Sequence, residues 1–450
     1  MRFLRLSLLL ALSPVWPAAA SAASLDVSTF YRMRALSYSN LDLQEPPNNH
    51  SFISQNAQLS MFVKDIRLLS PGGEEQGMDV GLALRGIGVA GSSTALQAPF
   101  SSIGTNYPNT NFIPFIENAY VRLHQAFGHP IEATFGQQSF SLGSGLLLAD
   151  DGAGLAGVHM FGSLPFWNMK AAGFIFQPRN SQAAANSLMA YGFSLELPTE
   201  GIWQFNELVE KDKTNQMTSG GIPISAATRY FTSARYQINY GPMVFDGEAA
   251  IERGSGVATG PTAINPSGTR VLFMGDAQVL RAKWRQNFTP TTGEGIARIS
   301  VSRGSGYSGK TNTTDDAFFP SHGHRFDGLE RSGLGDFFGA TPYDGFGGKS
   351  SSTISGLPSG VSGIQTVNLG ITPPAWRGII VDLDYFLFQA DRNLFGPHRT
   401  LGREYDVHFR YAVRDKLTIL FGMASFTAGP AINITSPNAR RYTFELSGRF

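Results

Sequence analysis

Arginine recurs on one parity of several alternating segments in this 450-residue chain: Arg32, Arg34, Arg85, Arg122, Arg229, Arg235, Arg298, Arg410 and Arg449. A guanidinium keeps its charge at any physiological pH and grips carboxylates through a planar fork. A ring of such groups around a water-filled passage would favour an anionic solute, as charged rings do in selective pores. Carboxylates share that parity, however, at Asp246, Glu248, Glu252, Asp382, Asp384, Glu404, Asp406 and Glu445. Pairing would make these groups a rigid wall with little net field. The two readings are compatible, because a paired wall can leave a few arginines uncommitted at a constriction.

Other chemistry is weakly signalled. His322 and His324 stand in a glycine-rich stretch without a carboxylate at ligand spacing, so polar loop residues account for them better than a metal site. Asp150-Asp151-Gly152 and Asp315-Asp316 do not repeat as a calcium-ligand series and read as turn chemistry. Gly143-Ser144-Gly145 lacks the strand, elbow and helix that a nucleophilic serine needs, so no enzyme activity is expected. No metal or cofactor is expected. With a net charge of +1 and 15% charged residues there is no bulk basic field, which excludes nucleic acid as a partner.

The elements that must carry these residues follow from the N-terminus onward. Arg2 and Arg5, the apolar run Leu6 to Leu12 and the small residues Ala20-Ser21-Ala22 form the three parts of a secretory signal, so residues 1–23 are expected to be removed. The absence of cysteine rules out a disulfide scaffold in the exported chain. From Ser24 onward the chain reads as period-2 segments of about ten residues separated by Gly/Asn/Pro/Ser-rich turns. Leu25, Val27, Tyr31, Met33 and Ala35 oppose Asp26, Ser28, Arg32 and Arg34. Tyr405, Val407, Phe409 and Tyr411 oppose Glu404, Asp406, His408 and Arg410. Tyr442, Phe444, Leu446 and Phe450 oppose Thr443, Glu445, Ser447 and Arg449.

A soluble sandwich also alternates, but its strands average about five or six residues. Runs of about ten match tilted strands crossing a bilayer, apolar outward and polar inward. Trp167, Trp203, Trp284 and Trp376 lie near run ends, as an interfacial girdle would. The final strand, ending on Phe450 with aromatics at alternate upstream positions, has the form that the outer-membrane assembly machinery recognises. The expected fold is therefore all-β: a single transmembrane antiparallel up-and-down barrel over residues 24–450, in the outer membrane of a Gram-negative cell and surrounded by its lipids. About 425 residues at roughly 24 per strand and connection give 18 strands, with 16 as the alternative. Long loops are expected near 90–113, 139–166 and 305–359. Alternation is weakest over 154–166 and 271–285, where a bulge or a short loop helix would fit.

Three segments together resemble the alginate-export family of outer-membrane β-barrels. One is Phe115 to Val121 followed by Phe135 to Gly145. The second is Phe319 to His324 with Gly335 to Phe338. The third is Leu401 to Asp406, then Gly422 to Phe426 and Gly429. The chain departs from that pattern at Gln137, where the family usually has arginine. The resemblance implies an 18-stranded barrel with an arginine-rich lumen that passes an acidic polysaccharide outward, fed by periplasmic polysaccharide-export proteins. It places Glu117, Gln137, Asp336, Glu404 and Asp406 beside the inward arginines, with Glu117, His322, His324 and Asp336 as loop or gate residues. The alternative functions are a general or solute-specific diffusion porin, which the strand pattern allows equally well, and a barrel serving as the sheath of a larger conduit.

Overall fold

The computed structural model describes residues 23–450 apart from 42, 44, 70–74, 91–110, 127–128, 151, 153, 165–167, 179–187, 214–216, 220–221, 260–267, 290–292, 311–312, 322–333, 340–359, 415 and 433–434. Among the described residues there is no α-helix, and eighteen strands run up and down around one closed sheet. They are β1 (Ser24–Ser39), β2 (His50–Leu69), β3 (Glu75–Ala90), β4 (Phe115–Leu123), β5 (Ile131–Gln138) and β6 (Leu155–Ser163). Next come β7 (Lys170–Gln177), β8 (Leu188–Pro198), β9 (Ile202–Asp212), β10 (Ile222–Tyr240), β11 (Met243–Ala258) and β12 (Asp276–Thr289). The circuit ends with β13 (Gly293–Gly304), β14 (Val361–Thr372), β15 (Ile379–Asn393), β16 (Thr400–Val413), β17 (Leu417–Ala428) and β18 (Asn438–Arg449).

Each strand pairs antiparallel with its chain neighbours, and β18 returns to β1 from Ser39↔Arg440 to Phe30↔Arg449. Below that register the main chains of Thr29 and Phe450 exchange two hydrogen bonds of 2.8 Å. Closure leaves no unpaired edge to face lipid, which is why a sheet can span a bilayer in this form. Short turns such as Gly241-Pro242 share one end with both termini, and the long connections share the other. In outer-membrane barrels the short turns are periplasmic and the long loops extracellular.

The outward rows are apolar and bare, with Leu25 63% and Leu280 61% exposed. Such a surface would be an aggregation hazard in water and is accounted for by a lipid surround. Trp203, Trp284 and Trp376 all lie outward near the short-turn end, with Trp203 4.5 Å from the Tyr236 ring; Trp167 is outside the described residues.

Weak alternation has two different explanations. Residues 155–163 form an ordinary strand, so the loop expected over 139–166 ends at Leu155. Its period is blurred because the inward row carries His159 and Phe161 while the outward row carries Ala156 and Gly162. Over 270–289 the strand is broken at Met274-Gly275, separating a piece at Arg270–Phe273 from β12. A side chain at Gly275 would meet the Phe318 backbone, with a Cβ 2.5 Å from Phe318 Cα.

Among the described residues, two of the three buried apolar clusters are filled by inserted connections. Leu142, Leu146, Leu147 and Leu148 are buried with Phe174, Phe176, Leu208, Phe231 and Phe318. Phe337 and Phe338 are buried with Leu36, Tyr38, Phe52, Phe388 and Phe426. In each, a long connection is folded inward against one side of the wall.

Candidate functional site, the occluded lumen

The inward polar rows form a paired wall. Arg34 meets Glu445 at 2.6 Å, Arg85 meets Glu117 at 2.8 Å and Arg235 meets Asp246 at 2.8 Å. Arg298 meets Asp384 at 2.5 Å, and Arg410 meets Asp382 at 2.7 Å. Pairing thus takes up most of the inward arginines, as the carboxylates of matching parity suggested. Arg32 lies on the same inward row as Arg34, and Arg449 lies inward at the short-turn rim opposite Phe30.

Three inward carboxylates do something else. Glu248, Glu404 and Asp406 accept hydrogen bonds from the inserted loops. Residues 139–154 leave β5, turn through a hairpin of Ser141–Leu142 with Leu148–Ala149, and return to β6. The Ser144 N–H and hydroxyl donate to Glu248 Oε2 at 2.7 and 2.5 Å, and Arg235 donates to the Gly143 carbonyl at 3.0 Å. Gly143 has φ +64°, and a side chain there would collide with the Glu248 carboxylate, so the turn requires glycine. Ser144 is therefore an anchor. Farther along, Arg85 donates to the Gly152 carbonyl at 3.0 Å, so the Arg85–Glu117 pair holds the loop's return limb.

The second insertion follows β13. Asp315 accepts the Ala317 N–H at 2.9 Å, which is turn chemistry, whereas Asp316 accepts the Ser308 N–H at 2.6 Å across the loop. The chain then docks on Arg229, which is 2% exposed and lies between Glu210 at 2.7 Å and Glu252 at 3.0 Å. Arg229 also donates to the Phe319 carbonyl at 2.5 Å, while the Phe319 N–H donates to Glu252 Oε2 at 2.9 Å. The Ser321 N–H donates to the Leu147 carbonyl at 3.1 Å, joining the two loops. His322 and His324 lie outside the described residues, among which no cluster of potential metal ligands occurs.

The same loop docks again at 334–339. The Asp336 N–H donates to Asp406 at 2.9 Å, and the Phe337 and Phe338 N–H groups donate to the two Glu404 oxygens at 2.5 and 2.9 Å. The Phe338 ring lies 4.6 Å from Phe388 and 5.0 Å from Phe426. Asp336 Oδ2 is 2.9 Å from His408 Nε2, and Arg441 donates to the Asp336 carbonyl. Burial alone would raise the Asp336 carboxyl, but the Arg441 guanidinium and the His408 ring outweigh it and hold it well below the usual carboxylate range.

A carboxylate depressed in the folded state contributes stability that is complete above its unfolded value, about 3.9, and is lost as pH falls through the folded one. The contribution of Asp336 to the 334–339 contact is therefore expected to be complete from neutral pH down to about 4 and to be lost only below it. Single-channel conductance should stay flat over that window. A transition centred near neutral pH would show that Asp336 does not govern the contact.

Two placements differ from the sequence reading. Gln137 sits on the outward row, opposite Ala119 and Ala156, with its amide donating to the Ile116 carbonyl at 3.1 Å. The inward residue is Gln138, because period 2 admits one of two neighbours. Glu117 reaches the lumen because the register slips between Ala83 and Leu84, which turns both Glu117 and Asn118 inward.

Beside the first loop a cavity of about 480 Å³ remains, lined among others by Asn118, Tyr120, Arg122, Gln138, Phe140, His159 and Phe161. Among the described residues Arg122 meets no carboxylate. It lies 3.4 Å from the Thr134 hydroxyl and 5.6 Å from the centre of the Tyr120 ring. Lys170 at the cavity's edge is paired with Glu196 at 3.1 Å. The arrangement presents one uncommitted guanidinium among aromatic rings, suited to a small anion with an apolar body. Sequence reasoning placed Arg122 inward but missed Tyr120, His159 and Phe161, whose shared parity was the available signal.

No protein-family model and no curated protein matches the chain. Solved structures share its fold. OccAB1 of Acinetobacter baumannii superposes with a TM-score of 0.57 at 11% identity, over 96% of this chain and 99% of its own. A BenF-like porin from Pseudomonas fluorescens Pf-5 gives 0.53 at 10% identity, over 94% and 99%. OccK2 of Pseudomonas aeruginosa in complex with glucuronate gives 0.53 at 11% identity, over 95% and 96%. The chain has an outer-membrane porin fold, and these comparisons do not single out the alginate-export family.

Proposed function

We propose that this barrel is a solute-specific diffusion channel of the outer membrane, passing small organic anions, rather than an enzyme or the polysaccharide conduit that the sequence resemblance implies. The observation that carries this reading is a cavity of about 480 Å³ beside the first docked loop, with the unpaired Arg122 on its wall. A space of that size suits a solute of sugar or benzoate dimensions. The glucuronate bound in one structure of similar fold, and the BenF-like porin among the others, support it. Arg32, Arg34, Arg85, Arg229, Arg235, Arg298, Arg410 and Arg449, with Asp382, Asp384, Glu404 and Asp406, then serve as the polar wall of the path, and Glu117 and Asp336 as loop holders.

Reversal potentials in planar bilayers test this directly. The channel should prefer anions, and glucuronate should permeate faster than glucose. Arg122→Gln should reduce that preference, since a unit charge about 4 Å from a passing carboxylate is worth ~1–4 kcal/mol. Equal selectivity in the two proteins would overturn the assignment of Arg122. An alginate oligomer crossing as readily as glucuronate would return the polysaccharide reading.

A further inference from the structure

The outer face of the barrel carries charge where the apolar rows end. On β16 the outward row runs Arg403, Tyr405, Val407, Phe409; on β18 it runs Arg440, Tyr442, Phe444, Leu446. In both, an arginine stands one step toward the long-loop end from the tyrosine that begins the lipid-facing band. Arg403 is level with Thr427 of β17, and Arg440 is level with Ser425 of β17 and Ser39 of β1. The two are thus two strands apart and offset by one pleat, about 10 Å across the sheet and about 7 Å along it.

Both arginines are exposed, and among the described residues neither meets a carboxylate. Among the described residues, the rim beside them also has more guanidiniums than carboxylates. Asp391 alone is approached by Arg303 at 3.0 Å and by Arg392 and Arg399 at 3.7 Å each. Asp276 supplies the other carboxylate, 2.7 Å from Arg303. Among the described residues, the five guanidiniums of Arg303, Arg392, Arg399, Arg403 and Arg440 thus stand with the two acids Asp276 and Asp391.

Tyrosine rows mark the level of the lipid headgroups. Just outside that level, the outer leaflet offers phosphate at both ends of the lipid A disaccharide, and a guanidinium binds phosphate through two parallel hydrogen bonds. We propose that the outer face of β16–β18 is a binding site for one lipid A molecule, with Arg403 and Arg440 each taking a phosphate. The site is independent of what passes through the lumen.

Native mass spectrometry of the detergent-purified barrel, titrated with bisphosphorylated and with fully dephosphorylated lipid A, tests the proposal. The wild type should retain the bisphosphorylated form, and high salt should weaken retention, since exposed charges are screened. Arg403→Ser/Arg440→Ser should bind it roughly tenfold more weakly, about 1.4 kcal/mol. Arg377→Ser, which removes a guanidinium lying over Trp376 at the opposite rim, should leave retention unchanged. Equal retention of the dephosphorylated lipid by the wild type, or salt-independent retention, would overturn the proposal even if the double variant failed to fold. So would a folded double variant that binds like the wild type.

Discussion

Arg229→Met should lower the stability of the docked state by about 3–5 kcal/mol, because it strands two carboxylates without a cation. Glu210 and Glu252 are each about 1% exposed and reach no other guanidinium by an ion pair among the described residues. The variant should lose the anchorage of Phe319 and Pro320 as well, since the same guanidinium donates to both carbonyls. Two readouts follow: a lower urea midpoint for the folded barrel on unheated gels, and a larger, noisier single-channel current as residues 317–321 leave the wall. The triple change Arg229→Met, Glu210→Leu, Glu252→Leu removes both stranded charges, and such replacements are often neutral. It should regain most of the stability while the current stays noisy. An Arg229→Met barrel as stable and as quiet as the wild type would show that the cluster does not hold the loop.

The second large effect lies on the other side of the lumen. Phe337 and Phe338 are buried against Phe388, Phe426 and Tyr38, and truncating a buried phenylalanine costs about 3–5 kcal/mol. Phe337→Ala/Phe338→Ala should therefore release the segment from Glu404 and Asp406 while leaving the strand ladder intact. Conductance is expected to rise several-fold, with anion preference reduced as Arg122 ceases to flank the main current path. An unchanged current in a folded double variant would mean that 334–339 does not occlude the pore.

The wall was legible in the sequence and the filling was not. Strand parity follows from period 2, and it sorted Tyr230 from Arg229 and Phe409 from Arg410 because lipid and water demand opposite side chains. Arg34–Glu445 illustrates the gain: two residues far apart in the chain, both on inward rows, meet at the closing pair of strands. The same rule fails where the interior is dry. Phe174, Phe176, Phe231, Phe388 and Phe426 point inward because a loop covers them, so both faces of those strands look apolar. It fails again at Glu117, where one extra residue shifts the count, and at Gln137, where a family motif outweighed parity. Nor could alternation reveal that Glu248, Glu404 and Asp406 serve backbone N–H groups, since a carboxylate that holds a loop and one that holds an arginine look alike in a sequence.

The placement of residues 334–339 bears on how the barrel is made. Phe337 lies 6.5 Å from the Tyr38 ring of the first strand, and Asp336 is held by Arg441 of the last. The segment thus straddles the junction where the two ends of the chain meet. The Tyr38 and Arg441 side of its landing place is brought together only when that junction is zipped, so its full docking belongs to the end of biogenesis. A barrel halted short of that point would be inserted but unplugged, a leak in the permeability barrier. The clasp ties the final narrowing of the pore to completion of the cylinder.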